Sequence, residues 1–147
     1  LLFNSGYDAN LSVLSSILLP NDVVIMDELC HSSQVMGVRM SRLQGTHSHF
    51  MHNNVDDLRS RLRRIDLRGQ MVVVVVESVY SMDGDVAPLA EILDLCMSFG
   101  RNVSVVVDEA HGLGVYGGTN PTDLRLDPSK TIQTGTRSST FGGTGVL

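Results

Sequence analysis

Val103-Ser104-Val105-Val106-Val107-Asp108-Glu109-Ala110-His111-Gly112-Leu113-Gly114-Val115-Tyr116-Gly117 is an apolar run that ends in charged chemistry. Residues 103 to 107 have the composition of an interior strand of a parallel sheet, buried on both faces, and Asp108 falls at its carboxyl end. Open α/β sheets place their ligands there. A carboxylate and an imidazole three residues apart, followed by glycines that let the backbone turn tightly, suit the holding of a polar ring.

Upstream of this stretch lies Met71 to Val76, whose five consecutive valines read as a second buried strand, because β-branched side chains suit a pleated interior surface. It ends in Glu77-Ser78-Val79-Tyr80-Ser81-Met82-Asp83-Gly84-Asp85, so polar residues gather again at a carboxyl end. Pro88 suits the first turn of a helix carrying Leu89, Ile92, Leu93, Cys96 and Met97 on one side, and Gly100 stops it. Strand, helix and strand within about 35 residues form a right-handed crossover unit. An α/β fold built on a parallel sheet follows.

Toward the amino end, Leu11, Leu14 and Leu18 have helical spacing after Ser5-Gly6-Tyr7, and Pro20 ends the segment. A Ser-Gly turn leading into a helix offers unpaired N–H groups and the positive end of the helix dipole, which suit a phosphate. Asp22 to Asp27 is a further strand. His31 lies just past its end, with Ser32 or Ser33 as a helix cap and a helix from Ser33 to about Arg42. Asn53 and Asn54 form the turn before a helix over 55 to 65, lined by Val55, Leu58, Leu62 and Ile65. His47, His49 and His52 have no carboxylate or cysteine at metal-ligand spacing, so no metal is expected.

The 147 residues are 42% hydrophobic, enough for the core of one ordinary domain. A net charge of −5 argues against a nucleic-acid surface, and Arg59, Arg61, Arg63 and Arg64 read as a solvated helix face. Cys30 and Cys96 form no Cys-x-x-Cys and suit a reducing compartment, with an intracellular, cytoplasmic place preferred over mitochondrion or peroxisome. No apolar run reaches the roughly 20 residues that cross a bilayer. The start, Leu-Leu-Phe-Asn-Ser-Gly, lacks the regions of a signal peptide and reads as the middle of a domain.

Asp-Glu-Ala-His also occurs in helicase-type ATPases, which need an earlier phosphate loop ending in Gly-Lys-Ser/Thr. The chain has none, and its single lysine, Lys130, follows the motif. The constellation Ser5-Gly6-Tyr7 with Ala9-Asn10, Asp27 to Ser33 around His31, His52-Asn53, Glu77 to Asp85 and Asp108-Glu109-Ala110-His111-Gly112 instead resembles the α-oxoamine synthases. These are pyridoxal-phosphate enzymes of fold type I. Asn54 departs from the resemblance, where many members have Asp.

The resemblance implies a three-layer αβα large domain, here incomplete. It implies that Gly6 and Tyr7 hold the phosphate of pyridoxal 5'-phosphate, that His31 stacks on its ring, and that Ser81 and His111 bond around the phenolic oxygen. Glu77 would support the site and Asp108 would pair with the ring nitrogen. A carboxylate there keeps the nitrogen protonated, and only the protonated ring is a good electron sink. The implied reaction is a decarboxylative condensation of a small amino acid with an acyl-CoA in a homodimer. Ser-Met-Asp-Gly-Asp-Val-Ala-Pro-Leu is most similar to the alanine-using branch of biotin biosynthesis, with glycine- and serine-using branches as alternatives.

Such enzymes require a Schiff-base lysine, and Lys130, in a Pro-Ser turn context 22 residues after Asp108, is a poor candidate. Two alignments of the tail stand open. In the preferred one, residues 1–117 are the partial large domain, 118–142 are an inserted or irregular loop, and 143–147 resume the domain with the lysine beyond them. In the other, Thr140-Phe141-Gly142 matches the segment before the lysine and Gly143 replaces it. Either way this chain alone is expected not to complete a catalytic cycle, and a catalytically inactive, binding-only relative is a further alternative.

Overall fold

The computed structural model describes residues 1–112 and the strands at 131–136 and 145–146. In chain order the elements are β1 (Leu2–Phe3), α1 (Gly6–Ile17), β2 (Val23–Asp27), α2 (Ser32–Met40), β3 (His47–Phe50), α3 (Val55–Leu62), β4 (Val72–Glu77), α4 (Leu89–Ser98), β5 (Val103–Asp108), β6 (Thr131–Thr136) and β7 (Gly145–Val146). They build one seven-stranded sheet in the order β1-β7-β6-β5-β4-β2-β3. β6, β5, β4, β2 and β3 run parallel, and β7 pairs antiparallel with both β6 and β1.

The valine run shows why the sheet is buried on both sides. Side chains alternate across a strand, so Val72, Val74 and Val76 join a core with Leu58, Leu62, Ile92 and Cys96 beneath α3 and α4. Val73 and Val75 face the other way, toward Leu14, Leu18 and Val38 of the α1–α2 layer. The result is three layers, helices on either face of the sheet. Cys30 and Cys96 are both free thiols.

Three boundaries differ from the sequence expectation for local reasons. α1 ends at Ile17, before Pro20, because Leu18 is extended and the Leu19 N–H donates to Asp22 Oδ2 at 2.8 Å. α3 ends at Leu62 and not at 65: Arg64 N–H and Ile65 N–H reach back to Arg61 and Leu62, tightening the last turn before Asp66. His31 itself caps α2 in place of Ser32 or Ser33, since its Nδ1 accepts from the Ser33 N–H at 3.2 Å and Gln34 Oε1 accepts from the His31 N–H at 3.0 Å. The arginine face of α3 pairs with its own first turn, Arg59 with Asp56 and Arg61 with Asp57.

The expectation of an inserted or irregular loop over 118–142 is corrected at 131–136. That segment, Thr-Ile-Gln-Thr-Gly-Thr, is β6, a parallel neighbour of β5 inside the sheet. Its β-branched content suits a strand, and only its short length and lack of an apolar run hid it. The second alignment of the tail therefore has a strand before Thr140 after all. The remaining expectations for 113–130, 137–144 and 147 lie outside the described residues.

Candidate active site

Parallel pairing aligns Glu77 of β4 with Asp108 of β5, so two carboxylates end up side by side at the carboxyl edge of the sheet. Both are buried. A cavity of about 280 Å³ opens above them, lined among others by Gly6, Tyr7, His31, Glu77, Asp108 and His111. Six residues singled out from sequence thus meet in one cavity. The seventh, Ser81, is exposed on the loop after β4 and does not line it; its backbone N–H donates to the Glu77 carboxylate.

The amino end of α1 forms one wall. Ser5 caps that helix by accepting from the Asp8 N–H at 3.0 Å, and the first-turn residues Gly6 and Tyr7 line the cavity. Tyr7 stands edge-on to the His31 ring at 6.2 Å between centroids. Because the Ser33 N–H can only donate, His31 Nδ1 is an acceptor and the ring proton sits on Nε2. The cap thereby fixes the orientation of the ring.

Asn10 also lines the cavity and is absent from the site residues singled out from sequence. Its Nδ2 donates to Asp108 Oδ2 at 2.7 Å and to Ser33 Oγ at 3.0 Å, and that hydroxyl lies 2.7 Å from His31 Nδ1. One amide therefore ties the carboxylate at the cavity floor to the imidazole at its wall. The signal was present in the sequence: Asn10 is a polar residue on the buried side of α1, with Ala9, Val13 and Leu14. Asn10→Ala removes both donors and leaves a buried carboxylate half-satisfied. Affinity for pyridoxal phosphate is expected to fall about tenfold, and a fluorescence titration of wild type against variant checks it.

Burial pushes the Asp108 carboxyl up, and the hydrogen bonds from Asn10 and from the Ala110 N–H at 2.8 Å pull it only partly back. A cationic partner at this carboxylate would relieve that desolvation. Burial first, and then the Asp108 charge, raise Glu77 to about 7, against the hydrogen bond that His31 N–H donates to Glu77 Oε1 at 2.7 Å. A carboxyl raised on folding contributes stability that is complete below its unfolded value and is lost as pH rises through about 7. Glu77→Gln is therefore expected to gain stability over wild type between pH 5 and pH 8, read as the difference in denaturant midpoint of the cofactor-free proteins.

A three-layer α/β fold with a buried carboxylate, a helix amino terminus and an imidazole of fixed orientation around one cavity fits the binding of a planar, anionic, nitrogen-containing cofactor. The model of the family described as aminotransferase class I and II matches residues 1–146, and the chain belongs to that family.

Among its relatives are 8-amino-7-oxononanoate synthase of Emericella nidulans, 46% identical over 80% of this chain and 30% of that protein, and the Haemophilus ducreyi protein of the same name, 39% identical with the same coverage. Serine palmitoyltransferase of S. paucimobilis, solved with a bound PLP–myriocin aldimine, superposes with a TM-score of 0.84 at 33% identity over 99% of this chain and 37% of that one. An 8-amino-7-oxononanoate synthase from Francisella tularensis shares the fold, at a TM-score of 0.76, 23% identity, and coverage of 100% of this chain and 42% of that one. The chain spans about a third of the length of the relatives it matches.

Among the described residues no helix is long and apolar enough to cross a membrane. Nor does any group of three or more His, Cys, Asp or Glu among them offer a metal site. His47 and His49 are exposed together on β3, their rings 6.4 Å apart.

Proposed function

We propose that the chain is the cofactor-cradling part of a pyridoxal-phosphate-dependent acyltransferase. The whole protein, a homodimer in this reading, joins a small amino acid to an acyl-CoA with loss of carbon dioxide and release of coenzyme A. The observation that carries the reading is Asp108, a buried carboxylate anchored by Asn10 and the Ala110 N–H at the floor of the cavity. When bound, pyridoxal phosphate supplies an electron sink for charge developing beside the amino-acid nitrogen.

The residues divide the binding work. The amino end of α1, with Gly6 and Tyr7, takes the phosphate. Asp108 holds a proton at the ring nitrogen, His31 covers one ring face, and His111 donates to the phenolic oxygen. Glu77 holds the His31 backbone, and Ser81 enters through its N–H to Glu77.

Similarity to proteins named 8-amino-7-oxononanoate synthase favours alanine as the amino acid and biotin biosynthesis as the setting. A serine-using activity is the second reading, favoured by the superposition on serine palmitoyltransferase. An intracellular, cytoplasmic place fits both, because acyl-CoA is an intracellular substrate.

The only lysine, Lys130, directly precedes Thr131, which pairs with Val105; two residues of β6, Ile132 and Gln133, separate Thr131 from Thr134, the partner of Asp108. That register supports a covalent lysine other than Lys130. The test is the absorbance of the full-length protein during titration with pyridoxal phosphate, followed by borohydride reduction and peptide mass analysis. A saturable spectral change supports the reading, and an unchanged spectrum overturns it. Label on Lys130 would overturn the assignment of the lysine elsewhere. Coenzyme A release with alanine against serine then separates the two substrates.

A further inference from the structure

On the opposite face of the sheet, under the same carboxyl edge, the His52 ring stands between two carboxylates. Its Nδ1 lies 2.8 Å from Asp27 Oδ1 and its Nε2 lies 2.7 Å from Asp85 Oδ2. An imidazolium, with a proton on each nitrogen, satisfies two ionised carboxylates at once; the Asn53 Nδ2 also lies 3.1 Å from Nε2. Asp27 is fully buried, and a buried carboxylate needs such a partner. Asn53 completes the knot, donating from its backbone N–H to Asp27 Oδ2 at 2.9 Å and from its side chain to Asp85 Oδ2 at 2.7 Å. It does so at φ 53°, a left-handed conformation that the two bonds hold in place.

Three connections meet at this ring: residues 28–31 after β2, 51–54 after β3 and 78–85 after β4. The first carries His31 and the third follows Glu77 directly. The Leu29 N–H donates to Asp27 Oδ1 at 2.9 Å, and the Tyr80 ring meets His52 edge-on at 4.5 Å. The Tyr80 hydroxyl in turn lies 3.4 Å from the Glu77 N–H, and Glu77 Oε1 accepts from His31 N–H. The path from His52 to the cavity wall is thus continuous, although His52 does not line the cavity.

We propose that His52 is a positioning residue of the cofactor site, an imidazolium clamp that holds the His31 and Glu77 connections in register through Asp27 and Asp85. The last link, from those connections to cofactor affinity, rests on the function proposed above. The groups facing the ring are Asp27 from β2, and Asp85 and Tyr80 from the loop after β4. Glu28 accepts from the His52 backbone N–H, and Asp57 of α3 accepts from the neighbouring Met51 N–H.

Loss of water around the ring disfavours its proton, but the hydrogen bonds and charges of Asp27 and Asp85 outweigh that and raise His52 above its ordinary value. The clamp is therefore complete below the unfolded value, near 6.5, and is lost as pH rises through the raised one.

The test compares full-length wild type, His52→Gln and the milder Asp85→Asn. Pyridoxal phosphate affinity is measured between pH 5.5 and 9, and amide exchange is measured without cofactor. Wild-type affinity is expected to step down with rising pH, and the Asp85→Asn midpoint to lie lower because one of the two carboxylates holding the proton is gone. His52→Gln is expected to bind about tenfold more weakly with no step, and to exchange at least about tenfold faster at Asn53, Tyr80 and Gly84. A midpoint unmoved by Asp85→Asn overturns the positioning role. Unchanged exchange in His52→Gln overturns the clamp itself, and does so even if wild type fails to bind pyridoxal phosphate, the outcome that would remove the proposed function instead.

Discussion

Asp108→Asn is expected to lower turnover of the full-length protein by at least about 10³-fold while leaving its fold intact. The substitution is isosteric, so the cavity keeps its shape. The Asn10 Nδ2 and the Ala110 N–H, which now donate to two carboxylate oxygens, would meet one oxygen and one amide nitrogen. More important is the lost charge. A ring nitrogen facing a neutral amide has no anion to hold its proton, and an unprotonated ring is a poor acceptor of electrons. The effect separates into two measurements. Cofactor affinity, read by fluorescence, should fall by a modest factor because the phosphate and ring-face contacts remain. The rate of coenzyme A release at saturating cofactor should carry the rest of the loss. Near-normal turnover in Asp108→Asn would remove Asp108 from the role assigned to it.

Gly37→Val is expected to cost about 3 kcal/mol of stability, the upper part of the range for overpacking. Gly37 is in the middle of α2 where that helix crosses α1. A Cβ there would stand 2.9 Å from Leu14 Cβ, 3.0 Å from the Asn10 carbonyl oxygen and 3.2 Å from Leu11 Cα. Two of those three atoms are backbone, so α1 itself must move. The movement reaches the site, because Asn10 on α1 bridges Ser33 on α2 and Asp108 on β5. Chemical denaturation should show the lower midpoint, and pyridoxal phosphate titration below the transition should show weakened binding in the same variant. Alanine at this position is the graded control: it introduces the same first contact, partly offset by a gain in helix propensity of about 1 kcal/mol.

Much of the framework was legible because it is governed by near neighbours. The Val72–Val76 run, the 3, 4, 7, 8 spacing of Leu89 to Met97 and the stop at Gly100 are local signals, and β4, α4 and β5 appear where those signals put them. Gly100 takes φ 97°, the conformation a stopping glycine supplies. The polar groups after β2, β4 and β5 were legible as carboxyl-end residues for the same reason. β1, β6 and β7 were not. Two are only two residues long, and β6 lacks the apolar run that marks a buried strand, so its place comes from pairing with β5 and not from its own composition.

His31 was placed near a helix cap but not as the cap, because the choice turns on one side-chain rotamer. Asn10 was part of the motif that carried the family resemblance, yet its role depends on a hydrogen bond across 98 positions. His52 looked like the third member of a histidine cluster, and it is separated from His47 and His49 by the turn that aims it beneath the sheet at Asp27 and Asp85.

The sequence by itself determined the α/β class, the elements that carry strong periodicity and the identity of most side chains at the site, since propensity and alternation act over a few residues. Only the tertiary structure decided which strand lies beside which. The order β5-β4-β2 and its register bring Asp108, Glu77 and Asp27 to one edge, and alternation then sends Glu77 and Asp108 to the cavity face and Asp27 to the face of His52. A shift of one residue in that register would exchange the faces and dissolve both clusters, and no local pattern in the chain encodes it.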